Sequence, residues 1–117
     1  MLPKSARLTE SADFARATKS GLRFSTQNFV GYLYSTNLSQ PARAGLIISK
    51  NVGGSVTRHK IARKVRHALR DIYPQLPSGG LLVVRALNTA QNADAAQEVT
   101  KIIGQLLKKF SEKVDRK

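Results

Sequence analysis

The chain has 117 residues, the size of one domain built on one hydrophobic core, and it lacks cysteine, which excludes disulfides, thiol nucleophiles and Cys-containing zinc sites. Hydrophobic residues at 41% and charged residues at 23% describe a globular chain and exclude the core-poor composition of disorder. Lys and Arg number 20 against 7 Asp and Glu, and a net charge of +13 costs stability through self-repulsion, so it points to a polyanionic partner, nucleic acid ahead of an anionic membrane.

In chain order, residues 9–18 carry a short helical pattern, with Thr9 or Ser11 as candidate N-caps and Gly21 just beyond the end. Residues 28–34 (NFVGYLY) alternate, which places Phe29, Gly31 and Leu33 on one face of a strand and Val30, Tyr32 and Tyr34 on the other. The turn-rich TNLSQPAR leads into a second strand at 44–49, expected as its hairpin partner. Gly53-Gly54-Ser55 breaks the pattern, and the Ser55 hydroxyl is suited to cap a helix over 56–73. There Ile61, Val65, Ala68 and Ile72 recur at spacings of four and three, with Leu69 beside them, until Pro74 and Pro77 end the helix. GLLVVRA at 80–86 reads as a buried strand. Asp94 with Gln97 fits a capping box for a last helix carrying Val99, Ile102, Ile103, Leu106 and Phe110, followed by a charged tail expected to fray.

This order predicts a single domain over 1–117 of α+β class, an α/β two-layer sandwich with a mainly antiparallel sheet packed by helices. Strand 44–49, helix 56–73 and strand 80–86 form a βαβ unit, which the general rule makes right-handed.

Seven of the 20 cations lie between Lys50 and Arg70, with no acid among them: Lys50, Arg58, Lys60, Arg63, Lys64, Arg66 and Arg70. At 100° per residue His59, Arg63, Arg66 and Arg70 fall within roughly 60° of one another and opposite the apolar stripe. A face built only for solubility would mix Glu with Lys at i, i+4. Here like charges are stacked at that spacing, and Arg58 and Lys60 sit in the first turn, where the helix dipole disfavours cations. Phosphates that neutralise the ridge account for both costs. Tyr32 and Tyr34 share a strand face, a placement open both to stacking on unpaired bases and to sheet packing.

A self-contained active site is not supported. The seven acids are scattered, His59 and His67 have no acid nearby in sequence, and neither HExxH nor GxxxxGK[ST] is present. No catalytic or metal-ligating residue is therefore expected. No apolar run approaches the ~18 residues of a spanning helix, and MLPKSARLTES lacks the apolar stretch of a signal peptide. A cytoplasmic protein with no membrane partner and no small-molecule substrate is the expectation.

SKNVGGSVTRHKIARKVR at 49–66 resembles the arginine-rich signature of the bacterial ribonuclease P protein subunit. RLTESADF at 7–14, FVGYLY and LLVVRA resemble that family's N-terminal segment and two of its strands, in the expected order. The resemblance implies an α/β sandwich with a left-handed crossover, against the general rule. It implies a subunit that binds the catalytic RNA of ribonuclease P and assists Mg²⁺-dependent, RNA-catalysed removal of 5′ leaders from precursor tRNA, with no cofactor bound by the protein itself. By position, Lys50, Arg58, His59, Lys60, Arg63, Lys64, Arg66 and Arg70 are implied to meet the catalytic RNA, and Phe14 and Tyr32 the leader. Departures from the family pattern are His59 and Gly54 for Asn, Ala62 for Lys and Thr18 for a second cleft aromatic. The competing readings are another structured-RNA binder, such as a small ribosomal protein, and a nucleoid-type module whose basic helix enters a DNA major groove.

Overall fold

Four strands, β1 (Leu22–Ser25), β2 (Phe29–Ser35), β3 (Arg43–Ile48) and β4 (Gly80–Ala86), pair in the order β1-β2-β4-β3 in the computed structural model, which describes residues 7–8, 11–36, 41–92 and 94–115. β2 runs antiparallel to β1 and β4, whereas β3 runs parallel to β4. The expected hairpin between residues 28–34 and 44–49 does not form, because β4 lies between those strands. Leu81, Leu82, Val83 and Val84 are all buried, and a strand apolar on both faces belongs where both faces are covered. β3, largely half-buried, takes the edge. β1 has no strong sequence signal, since it is four residues long and contains Arg23.

One face of the sheet packs on two helices, α2 (Ser55–Ile72) and α3 (Ala95–Asp115). Phe29, Leu33, Leu82 and Val84 meet Ile61, Val65 and Leu69 of α2 and Val99, Ile102 and Leu106 of α3. At Gly31 a side chain would overlap that of Ile102, so glycine lets α3 lie close on β2. α1 (Ser11–Ser20) lies across β2 and β4 on the opposite face, where Ala17 joins Leu8, Leu81 and Val83 in a second, smaller core.

The helix ends follow local hydrogen bonding. Gly21 N donates to Ala17 O at 3.0 Å where α1 stops, as expected for that glycine. Thr9 lies outside the described residues, and Ser11 is the first residue of α1. Ser55 is likewise helical and does not cap α2. Arg58 N donates to Gly54 O at 2.9 Å, so Gly54 is the cap residue and Ser55 is already inside. α2 ends at Ile72, before Pro74. Asp94 Oδ1 accepts from Gln97 N at 3.1 Å and caps α3 as expected.

α3 continues to Asp115, past the point where fraying was expected. Leu107 and Phe110 pack on the core, and Lys109 Nζ donates to Arg23 O at 2.9 Å while lying 5.3 Å from the centre of the Phe24 ring. These contacts hold the late turns of α3 against β1. At the other end, Glu98 accepts from Thr26 Oγ1 (2.7 Å), Asn28 N (3.0 Å) and Asn28 Nδ2 (2.8 Å), tying the β1–β2 turn to α3.

Candidate nucleic-acid interface

α2 is anchored through Ile61, Ala62, Val65, Ala68 and Leu69, and this fixes which of its cations reach solvent. His59, Lys60, Arg63, Lys64, Arg66, His67 and Arg70 are exposed. They form a band around the free half of the helix. His59, Arg63, Arg66 and His67 share a depression on its outer side. Lys60 and Lys64 lie on the flank facing Ala90, Gln91 and Ala95. On the other flank Arg58, His59, Ala62 and Arg66 border a groove against Leu46 and Ile48 of β3.

Arg58, implied by the resemblance to meet the catalytic RNA, sits differently from the exposed cations of α2. It is half-buried, and its Nε is buried with no hydrogen-bond partner. The acid on α2 is Asp71, whose Oδ1 lies 3.7 Å from Arg70 Nε. Both side chains are exposed, so the pair is weak and leaves the charge of the band essentially intact. Lys50 is exposed in a 3-10 turn, Lys50–Val52, just ahead of the helix.

Phe14 and Tyr32 lie on the opposite sheet face, together with Tyr34 and Ile47 around the smaller core. Both rings are half-buried, so each has a packed side and an open side. α1 is pinned there by Asp13, 7% exposed, whose Oδ2 lies 3.1 Å from Arg43 Nη1 on β3. Gly45 makes room for the adjacent ring, since a Cβ at that position would stand 2.6 Å from Phe14 Cζ. Thr18 does not substitute for an aromatic, because its hydroxyl turns back to the Phe14 and Ala15 carbonyls at 2.9 and 3.2 Å.

Sequence reasoning passed over Arg85. It is exposed and stands beside Val30 and Ile47 in the sheet register, on the Tyr32 face. It borders a pocket of mixed lining at the strand ends that also includes Gln27, Ser49, Asn51, Leu87 and Asn88, next to Lys50. The two-residue period of LLVVRA carries this signal, since it groups Leu81, Val83 and Arg85.

Among the described residues no group of three or more His, Cys, Asp or Glu could hold a metal ion. No described helix is long and apolar enough to cross a membrane.

Residues 2–111 match the family model for ribonuclease P. The chain belongs to the ribonuclease P protein family. It is 43% identical over 105 residues to the ribonuclease P protein component of Streptomyces avermitilis, covering 83% of this chain and 85% of that one. With its counterpart from Beutenbergia cavernae the identity is 37% over 106 residues, covering 91% and 89%. The solved RNase P protein of Staphylococcus aureus superposes with a TM-score of 0.72 at 27% identity, covering 90% of this chain and 94% of that one. Membership in the ribonuclease P family makes this chain part of a ribonucleoprotein endoribonuclease of tRNA processing.

Proposed function

We propose that the solvent half of α2, with Lys50, docks on the catalytic RNA of ribonuclease P, and that the face carrying Phe14 and Tyr32 takes the single-stranded 5′ leader of precursor tRNA. The observation that carries the first half is the band itself: His59, Lys60, Arg63, Lys64, Arg66 and Arg70 exposed on one helix, whose acid is confined to its last turn. Arg and Lys arrayed in this way neutralise a phosphate backbone, and arginine adds bidentate donors. The second half rests on two half-open rings suited to stacking on unpaired bases, with Arg85 on the same sheet face to meet a phosphate. Arg85 and the pocket at the strand ends, near Lys50, offer the leader a route between the two surfaces.

The protein binds and positions, and bond breaking belongs to the RNA and the Mg²⁺ it holds. We assign the complex to the cytoplasm. The test is reconstitution. Purified protein alone leaves precursor tRNA intact, and added to ribonuclease P RNA at low Mg²⁺ it restores cleavage that the RNA alone performs poorly. Cleavage by protein free of RNA would overturn the division of labour.

A further inference from the structure

The groove between α2 and β3 is not explained by phosphate docking. Two of its sides are apolar and half-buried, Leu46 and Ile48, and the third is Ala62, whose small side chain leaves space where the helix passes the sheet edge. The remaining boundary is Ser55, Arg58, His59 and Arg66, with no acid. A phosphate alone needs no apolar floor.

Two sets of hydrogen-bonding groups border this space. Arg58 Nε is buried without an acceptor, an arrangement that is costly until something accepts from it. β3 is an edge strand, and its Ala44 O accepts from Leu8 N at 2.9 Å on the side away from β4. The two-residue period of a strand turns the backbone groups of Leu46 and Ile48 to that same side, away from β4. The groove therefore offers flat apolar contact, donors and acceptors at its rim, and planar cationic or imidazole groups above.

We propose that this groove receives one unpaired nucleotide of the catalytic RNA, its base lying against Leu46, Ile48 and Ala62 and its phosphate on Arg66. An acceptor on the edge of the base takes a hydrogen bond from the half-buried Arg58 guanidinium, and the His59 ring or the Arg66 guanidinium stacks on the exposed face. This rests on the reading that α2 faces the catalytic RNA, and adds that part of the RNA met there is extruded from its helices. An extended peptide added to the β3 edge fits the apolar floor but leaves the cationic rim unmatched.

The unmodified protein, with labelled Leu, Ile and Ala methyl groups, is titrated with adenosine 5′-monophosphate and separately with ribose 5-phosphate while its NMR spectrum is followed. The nucleotide shifts the methyls of Leu46, Ile48 and Ala62 in a saturable manner and the sugar phosphate leaves them in place. Equal responses, or none, overturn the proposal, as does an uncharged extended peptide that shifts them when the nucleotide does not. In a second arm Ala62→Leu fills the groove, and catalytic-RNA affinity falls about tenfold or more with the salt slope unchanged. Unchanged affinity in a variant that melts like the parent also overturns it. If the parent protein fails to bind catalytic RNA at all, the proposed function falls first. Should Ala62→Leu fail to fold, the titration decides.

Discussion

At the residue scale, the contacts that seat Phe14 separate two roles for its ring. Asp13 is buried against Arg43, and Gly45 clears the space the ring occupies. Gly45→Ala therefore displaces Phe14 while leaving its chemistry intact, and we expect a loss of ~1–3 kcal/mol in stability from overpacking. Precursor tRNA with a leader of several nucleotides should then bind the holoenzyme less tightly, with mature tRNA affinity nearly unchanged. Phe14→Ala and Tyr32→Ala should show the same leader dependence, each costing ~1–3 kcal/mol of binding if its ring stacks on a base. Both rings are half-buried in the smaller core, so melting temperature is measured beside affinity. Equal damage to leader-bearing and leaderless binding would reduce these aromatics to packing.

At the element scale, α2 is held by its buried stripe and carries its function on the other side, so the two separate by mutation. Replacing Arg63, Arg66 and Arg70 with Ala removes like charges three and four residues apart and inserts the best helix former. The triple variant should melt no lower than the parent, while its binding to catalytic RNA weakens and the slope of log affinity against log salt flattens by roughly 0.7–0.9 per lost phosphate contact. An unchanged slope places the interface elsewhere. α3 behaves in the opposite way. Glu98 accepts three hydrogen bonds from Thr26 and Asn28, and Glu98→Ala frees partly buried donors at the β1–β2 turn. A loss of ~1–3 kcal/mol by chemical denaturation is expected, with RNA affinity intact once the protein is folded.

At the scale of the whole molecule, a net charge of +13 sets opposite salt responses for folding and for binding. Exposed cations repel one another in the free protein, and at ~0.15 M salt the screening length is only ~8 Å. Raising ionic strength from near zero to that range should raise the melting temperature of the free protein and lower its affinity for catalytic RNA. Calorimetry and binding titrations in the same buffers check both signs. A melting temperature that falls with added salt would mean the positive charge is already balanced within the fold.

The sequence by itself determined the class of this molecule, the basic helix and the buried strand at 80–86, because each is written in local periodicity: an apolar stripe at 3.6 residues opposite an acid-poor cationic face, and a run apolar on both sides. It also marked Asp94 as a cap, which needs only a bond from a residue three positions away. What only the tertiary structure decided depends on partners distant in the chain. Nothing local shows that β4 separates β2 from β3, because strand order is set by pairing between segments distant in the chain. The late turns of α3 persist through Lys109 and Phe110 meeting β1 and the core, contacts that cross more than eighty residues in the case of Lys109 and Arg23. The groove beside Arg58 exists because α2 crosses an edge strand where Ala62 is small, and the seat of Phe14 exists because Gly45 comes to lie beneath its ring. Side-chain pattern selects the elements, and long-range packing selects which of their surfaces remain open to RNA.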